Sequence, residues 1–262
     1  MEIGPQTRVV VTGASRGIGR AIAEAFAEAG AEVAPLARSE EELNELVLAL
    51  PGEGHEAIAA DVGDREELQK AIDEFGRVDV VVANAGIAQY GPFRDMDLDL
   101  VDRMTRINWL GTVNTVAAVL PGMLDRARGH IVIVSSGAAH RSFPWAAVYG
   151  ATKAAQRGFA EALRHELSGT GVSLTVVYPG EVKSHLHDHD QANMPDWYHG
   201  KDKAAPPEPL ARQIVEAVEQ DKRAVYYPPI VRLLRIMHGV SPQLSDRMLR
   251  VLRGGTAAPR TD

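Results

Sequence analysis

A tyrosine and a lysine four residues apart, Tyr149 and Lys153, form the pair in this sequence that is best suited to acid–base chemistry. On a helix, residues i and i+4 lie on the same face, one above the other. A free tyrosine has a pKa of about 10, and a cation held within a few ångström lowers that pKa. Such a pair can make a tyrosine that gives and takes a proton, although such a pair occurring by chance is usually surface decoration.

A serine upstream of this pair, Ser136, extends the constellation. It follows the run at 131–135, whose β-branched residues predict a strand. A hydroxyl at the end of a strand can point into a cleft and hold the oxygen of a substrate. Together the three side chains would suit a reaction that moves a proton to or from that oxygen.

A glycine-rich turn near the start of the chain is a second, independent feature. Residues 12–19 are Thr-Gly-Ala-Ser-Arg-Gly-Ile-Gly, after the apolar run at 9–11 and before a stretch of helical periodicity. Between a strand and a helix, such glycines let backbone N–H groups approach a pyrophosphate, and the helix dipole adds partial positive charge. This context predicts a nucleotide-binding turn, for which the glycines alone would be weak evidence.

In combination, these motifs resemble those of the short-chain dehydrogenase/reductase family. They occur in that family's order and at its spacings, and cover roughly residues 7–184. The resemblance implies an enzyme that moves a hydride between a nicotinamide and a carbonyl/alcohol pair. The motifs are Thr-Gly-x-x-x-Gly-x-Gly at 12–19, Asn84-Ala85-Gly86, Asn108, Ser136, Tyr149-x-x-x-Lys153 and Pro179-Gly180.

The resemblance gives roles to four catalytic residues. Ser136 would hold the substrate oxygen, and Tyr149 would donate or accept the proton. Lys153 would lower the pKa of Tyr149 and bind the ribose hydroxyls of the nicotinamide nucleotide. Asn108 would bend its helix and anchor a proton-relay water; the alternative is an ordinary buried asparagine with satisfied hydrogen bonds.

The resemblance also implies a set of cofactor-binding residues. Asp61 would touch the adenine edge, although it could instead cap the helix that starts near Asp64. Ser184 keeps the hydroxyl that would hold the nicotinamide carboxamide. The full set is Gly13, Ser15, Arg16, Gly17, Ile18, Gly19, Arg38, Asp61, Val62, Asn84, Ala85, Gly86, Tyr149, Lys153, Pro179, Gly180, Val182 and Ser184.

Two arginines indicate which dinucleotide is preferred. NAD-binding chains place an acid near the end of the second strand, where it accepts a hydrogen bond from the ribose 2′-hydroxyl. Here that residue is Arg38, and Arg16 stands inside the glycine turn. Two converging guanidinium groups would suit a 2′-phosphate, so we expect NADP(H) in preference to NAD(H). The alternative is that both are solvated surface arginines.

Strand-like and helix-like segments alternate along the chain, which predicts a seven-stranded parallel sheet with helices on both faces, a doubly wound Rossmann fold. The near-continuous apolar strands fit burial on both faces. The predicted strands are 9–11, 32–37, 55–60, 78–83, 130–134, 172–178 and 224–227. The predicted helices lie near 17–29, 40–49, 64–75, 98–127, 149–168 and 208–220.

We expect one catalytic domain over 1–227, with a substrate lid near 185–207. The lid region contains His185, His187 and His189, whose alternate positions could suggest a metal site. We expect no metal, because no supporting shell of ligands is evident and the chemistry needs none.

Residues 228–262 are expected to form an amphipathic C-terminal extension. Ile230, Leu233, Leu234 and Met237 fall at helical spacing, and Leu244, Met248, Leu249 and Leu252 repeat the pattern; 254–262 is expected to be disordered. Residues 222–262 hold eight basic and two acidic side chains, a net charge of +6. The apolar face must be covered by the substrate cleft, a partner subunit or, least favoured, a membrane surface.

Composition restricts the class of protein. The formal net charge of −7 argues against nucleic acid as the main partner. The absence of cysteine excludes disulfides and thiolate metal sites. No secretion signal and no stretch approaching eighteen apolar residues is present, so a cytoplasmic protein is expected.

These observations predict an NADP(H)-dependent oxidoreductase acting on a bulky apolar carbonyl or alcohol, as a homodimer or homotetramer. One alternative is an NAD-dependent alcohol or steroid-type dehydrogenase. Another is a dinucleotide-binding sensor that has lost turnover, against which the complete set of four catalytic residues argues. The sequence does not name the substrate.

Overall fold

A computed structural model describes residues 1–184, 186, 204–243 and 245–247 of the chain. Seven parallel strands form one sheet in the order β3-β2-β1-β4-β5-β6-β7. The sheet and its helices confirm the predicted doubly wound α/β fold. The strands are Arg8–Thr12 (β1), Glu32–Ala37 (β2), Ile58–Ala59 (β3), Val80–Ala83 (β4), Gly129–Val134 (β5), Val172–Pro179 (β6) and Ala224–Tyr227 (β7).

The two faces of the sheet hold separate apolar cores, because side chains alternate along each strand. In β1, Val9 and Val11 pack into one core and Val10 into the other. Continuous runs of valine and isoleucine are therefore buried on both sides, as parallel strands require.

The helices divide between these two cores. α1 and α7 cover one face, and α3, α5 and α6 cover the other. The helices are Gly17–Glu28 (α1), Glu40–Ala49 (α2), Arg65–Phe75 (α3), Leu98–Met104 (α4), Gly111–Asp125 (α5), Ala147–Glu166 (α6), Pro207–Glu219 (α7) and Ile230–Val240 (α8).

The third strand is shorter than predicted. The sequence predicts a strand over 55–60, whereas β3 covers only Ile58–Ala59. The backbone N–H of Val33 on β2 donates to Nδ1 of His55, at 3.1 Å. Since a side chain takes that donor, regular pairing with β2 begins later, where Leu36 faces Ile58.

The long helix predicted near 98–127 is interrupted by a π-helical turn. Thr105–Leu110 forms this turn between α4 and α5, and contains the buried Asn108. A π turn is wider than an α turn, and such turns are frequent at functional sites. The run Leu98–Asp125 is long and apolar enough, by length and composition, to cross a membrane. In this structure the α5 part of the run packs against β4 and β5, with Val116, Val119 and Met123 in the core, so it is one of the helices that cover the sheet.

α8 closes one end of the molecule. Val231 is buried and contacts the glycines at 137 and 180, while Ile230, Leu233, Ile236 and Val240 are exposed. The first apolar repeat of the extension is thus helical, as predicted. The four apolar positions of the second repeat, at 244–252, lie outside the described residues.

Candidate active site

A single cavity of about 740 Å³ collects the residues that the sequence singles out. Its lining includes every predicted cofactor-binding residue, from the glycine turn after β1 to Ser184 after β6, and also Ser136. Asn108 does not line the cavity and lies behind it. Because the carboxyl ends of parallel strands meet at one edge of a sheet, distant motifs converge here.

The glycine turn leaves no room for a side chain at position 13 or 19. Gly13 has a φ of +66°, and a Cβ placed there would lie 2.8 Å from the Cα of Ala85. A Cβ on Gly19 would lie 2.2 Å from the carbonyl oxygen of Gly13. The first turn of α1 holds no acidic residue, so its N-terminal dipole is not compensated locally. The cradle therefore suits the pyrophosphate of a dinucleotide.

Side-chain hydrogen bonds fasten this turn to the loop after β4. Thr12 Oγ1 accepts from the backbone N–H groups of Asn84, at 3.0 Å, and Ala85, at 3.1 Å, and donates to the carbonyl of Val82. Asn84 Nδ2 donates to the carbonyl oxygens of Thr12, at 2.9 Å, and Gly13, at 3.2 Å. The cofactor cradle is thus braced from two strands.

Arg16 and Arg38 line the same end of the cavity, together with Ser39 and Glu42. Both arginines are exposed, and within the described part of the chain neither has an ion-pair partner. Guanidinium groups without carboxylate partners remain available for a phosphate.

Asp61 lines the cavity and does not cap a helix, so that alternative is wrong. Its Oδ1 accepts from the backbone N–H of Gly63, at 2.8 Å. The N-cap of α3 is Asp64, which accepts from the N–H groups of Glu66 and Glu67. Asp61 shapes a tight turn at the end of β3 instead.

Tyr149 and Ser136 both line the cavity, and their hydroxyl groups lie close enough for Ser136 to act on the pKa of Tyr149. Burial raises the pKa of Tyr149, and the hydrogen bond with Ser136 opposes this only in part. Ser136 Oγ also accepts from the N–H of Ala138, at 3.1 Å. The pKa of Tyr149 is therefore raised and not lowered as expected, because Nζ of Lys153 lies 5.8 Å from the centre of the tyrosine ring and burial outweighs its attraction for a phenolate.

Lys153 is fully enclosed and anchored to β5. Its Nζ donates to the carbonyl of Val134, at 3.1 Å, and its own carbonyl accepts from Ser135 Oγ, at 2.9 Å. Burial lowers the pKa of Lys153 to about 8. The lysine therefore still carries its proton at neutral pH, but with little margin.

Asn108 is held by hydrogen bonds on all sides. Its Oδ1 accepts from the N–H of Ile87, at 2.8 Å, and its Nδ2 donates to Ile87 O and to Thr152 Oγ1. Its carbonyl accepts from Thr112 Oγ1 and from Nε2 of Gln156, both at 2.8 Å. The helix does depart from α geometry at Asn108, and this arrangement also matches the alternative of a satisfied buried asparagine. No pattern in the sequence marks Gln156, whose role depends on packing between α5 and α6.

The turn after β6 closes the nicotinamide end of the predicted site. A Cβ on Gly180 would lie 2.8 Å from Val231, so α8 packs directly over this turn. The histidines at 185, 187 and 189 lie outside the described residues, and the described residues contain no cluster of potential metal ligands. The predicted residues of this turn that line the cavity are Pro179, Gly180, Val182 and Ser184.

An aromatic wall forms the remaining side of the cavity. The ring of Tyr90 meets Tyr149 edge-on at 5.7 Å and Phe143 at 5.5 Å. Tyr90 and Phe143 follow closely after the motifs at 84–86 and 136, and aromatic residues at such positions are the signal that could have identified this wall. Further apolar lining comes from Ile87, Ala138, Leu186, Ile230 and Leu234.

This arrangement can perform two kinds of chemistry at adjoining places. The braced glycine turn can hold a dinucleotide phosphate through backbone N–H groups. The Ser136, Tyr149 and Lys153 side chains can hold an oxygen and exchange a proton with it. A hydride transfer that creates or removes an alkoxide needs both functions together.

Comparisons with known proteins agree with this geometry. The family model described as short chain dehydrogenase matches residues 7–195. An uncharacterized oxidoreductase of Listeria innocua is 36% identical over 225 residues, which cover 81% of this chain and 90% of that protein.

Two solved structures share both the fold and part of the sequence. The closed form of a serine dehydrogenase complexed with NADP⁺ superposes with a TM-score of 0.79 at 29% identity, over 86% of this chain and 95% of that one. A 3-oxoacyl-[acyl-carrier protein] reductase from Brucella melitensis with bound NAD gives a TM-score of 0.73 at 30% identity, over 86% and 92%. The similar enzymes thus include one that binds NADP and one that binds NAD.

Proposed function

Because the chain belongs to the short-chain dehydrogenase/reductase family and is an oxidoreductase, we propose that it interconverts a bulky, largely apolar carbonyl compound and its alcohol with NADP(H). The observation that carries this proposal is the meeting of Ser136, Tyr149 and Lys153 in the cavity that the glycine turn also lines. Enzymes of this family act on small molecules, and the cavity has a volume typical of small-molecule sites.

In the proposed reduction, the protein manages the charge and the proton of the substrate oxygen. The bound nicotinamide would supply the hydride. Ser136 Oγ donates a hydrogen bond to the oxygen as negative charge develops on it. Tyr149 is kept protonated by burial, so it can serve as the general acid that protonates this oxygen.

Lys153 supports the tyrosine after proton transfer. Its charged Nζ on the same helix face stabilises a phenolate at Tyr149 once one forms, through an attraction that is strong in a dry site. Asn108 positions this centre from behind, because it ties the loop at Ile87 to Thr152 on α6. We infer that Asn108 fixes the geometry rather than touching the substrate.

The preference for NADP(H) rests on Arg16 and Arg38. Both stand beside the cavity at the ends of strands β1 and β2, where the ribose of the adenosine half would lie. A 2′-phosphate would gain charge-assisted hydrogen bonds from them, whereas a 2′-hydroxyl would leave two cations without a partner.

The proposal that the substrate is apolar is based on the aromatic wall. Tyr90 and Phe143 border Tyr149, and Leu234 of α8 adds apolar surface at the same cavity. A large apolar group beside the reacting carbonyl would remove this surface from water and gain free energy in proportion to the buried area.

A panel of ketones, aldehydes and alcohols assayed with both cofactors tests the proposal. We expect reduction of large apolar carbonyl compounds, with kcat/KM about tenfold higher for NADPH than for NADH. Binding of dinucleotide without turnover of any member would instead support the role of a sensor.

We also propose that the enzyme pairs through α5 and α6 as a homodimer; a homotetramer is the second choice. On this face Leu110 is exposed, and the rings of Trp109 and Phe159 meet edge-on at 5.5 Å. Ala151 and Gly158 are exposed on α6, and no atom lies within 4 Å of a Cβ placed on Gly158. Small residues allow close approach of a second helix. Sedimentation as a monomer at micromolar concentration would contradict this.

A further inference from the structure

Four basic side chains gather at the substrate end of the cavity, and we call them the basic cluster: His140, Arg157, Arg235 and His238. His140 follows the turn after β5, Arg157 lies on α6, and the other two lie on α8. His140 and Arg235 line the cavity directly. Arg235 is one helical turn beyond Val231, which packs over the predicted nicotinamide end.

The tautomer of His140 follows from its partner. Arg157 Nη1 lies 3.2 Å from Nδ1 of His140, and a guanidinium can only donate, so Nδ1 must accept. Burial, followed by the charges of Arg157, Arg235 and His238, lowers the pKa of His140 to about 4. The ring is therefore neutral at pH 7 and carries its proton on Nε2.

This Nε2–H has no acceptor among the described residues. It is one of six buried polar side-chain atoms without a hydrogen-bond partner in that part of the chain. Nδ1 of His238, also in the basic cluster, is another. Buried polar groups are normally paired, so two unpaired atoms in one cluster indicate a missing partner.

The charges around the cluster indicate that the missing partner should be negatively charged. Arg141 is paired with Asp246 at 2.6 Å, and Arg157 lies 3.6 Å from Glu161. Arg235 lies over the ring of Tyr226 and has no carboxylate partner in the described residues. The cluster therefore offers one uncompensated guanidinium beside an unpaired N–H donor.

We propose that this cluster binds a carboxylate of the substrate, so that the enzyme acts on keto acids or hydroxy acids with an apolar body. This inference rests on the proposed function and narrows its substrate class. The carboxylate would accept from the planar fork of Arg235, and from His140 Nε2–H once the ring turns towards the cavity, because Nε2 has less than 1 Å² of accessible surface in this structure. The apolar body would lie along Tyr90 and Phe143, with the carbonyl at Tyr149.

The experiment compares keto acids of increasing chain length with the corresponding keto amides, which have nearly the same shape without the charge. We expect one chain length at which kcat/KM for the acid exceeds that for the amide by about tenfold or more. Arg235→Met should remove most of this ratio by lowering kcat/KM for the acid, with the amide nearly unchanged.

Arg232→Met is the matched control, since Arg232 is exposed on the same helix and does not line the cavity. His140→Phe is a second variant that removes the Nε2 donor and keeps a ring against Tyr178. Equal acid and amide rates at every length, or equal effects of the two arginine variants, would overturn the inference while leaving carbonyl reduction intact.

A binding measurement separates the two proposals if no compound is turned over. Calorimetry on the NADPH-loaded protein would compare a series of saturated fatty carboxylates with their carboxamides. Tighter binding of the carboxylate that is lost in Arg235→Met supports the anion site even if the proposed reaction is wrong. Equal binding of the two series contradicts it.

Discussion

The two ends of the cavity are built in different ways. At the cofactor end, the glycine turn and the loop after β4 are joined by hydrogen bonds from Thr12 and Asn84, and backbone groups form the surface. At the substrate end, side chains from α6, α8 and the turn after β5 form the surface, and two buried nitrogens there, in His140 and His238, have no hydrogen-bond partner among the described residues. The first end recognises what all dinucleotides share, whereas the second is free to differ between substrates.

Tyr149 stands where the two ends meet, and its loss should have the largest effect. Tyr149→Phe should lower kcat by about 10²-fold or more, because the ring still packs against Tyr90 but cannot carry a proton. The dissociation constant of NADPH should change little. Pre-steady-state and binding measurements check both; activity within about tenfold of the unmodified enzyme would remove Tyr149 from the general-acid role.

A methyl group at Gly19 should show how rigid the cofactor end is. The added Cβ of Gly19→Ala would overlap the carbonyl of Gly13, so the turn must shift at a cost of about 1–3 kcal/mol, and NADPH should bind roughly 10- to 100-fold more weakly. Gly91→Ala is the control, since nothing lies within 4 Å of its Cβ position. Fluorescence titration with NADPH measures the difference. Equal affinities of the two variants for NADPH would mean that the glycine turn shifts around the added Cβ at little cost in free energy.

A charge reversal at Arg38 tests whether the cofactor end also discriminates between NADPH and NADH. Arg38→Asp should shift the ratio of kcat/KM for NADPH and NADH towards NADH by about tenfold, through lost phosphate contacts and new repulsion. Arg20→Asp, on α1 and outside the cavity lining, should leave the ratio unchanged. An unaltered ratio in Arg38→Asp would support the alternative, in which Arg38 is a solvated surface residue that does not contact the cofactor.

Shortening one side chain on α8 should affect only the substrate end of the cavity. Leu234 lines the cavity, so Leu234→Ala should lower kcat/KM for large apolar substrates by a factor of roughly 3 to 10, the effect of about 1 kcal/mol of lost burial, and spare small aldehydes. Leu233→Ala, at an exposed neighbour outside the lining, is the control. Equal losses for all substrates would make α8 a structural element only.

The last effect is on stability rather than on catalysis, and it concerns the buried lysine between the two ends. The pKa of Lys153 is lowered to about 8 in the fold, so the charged form is disfavoured there and destabilises the cofactor-free protein below pH 8. This penalty fades as pH rises from 8 towards the ordinary lysine value. Lys153→Met should therefore be more stable than the parent protein near pH 7, by a margin that shrinks towards pH 10. Urea unfolding at both pH values measures this margin, and a constant margin would contradict it.

The sequence predicted the cofactor end far better than the substrate end. Apolar strands and the glycines at 13 and 19 impose local conditions that few structures satisfy, so the fold and the cavity lining follow from them. The direction in which the Tyr149 pKa is shifted could not be predicted, because it depends on how completely the fold buries the ring. The basic cluster joins residues from three separate segments, and no local pattern connects His140 with Arg235.

The π-helical turn at Thr105–Leu110 limits how the chain length can vary. Such a turn accommodates one more residue than an α-helical turn, and each residue rotates the helix by about 100°. Deleting the exposed Arg106 would let α4 and α5 join as one regular helix in unchanged phase, and would change the backbone only around Asn108, whose side chain holds Ile87. A single-residue gap here would therefore alter the centre of the enzyme, although the affected side chain itself faces solvent.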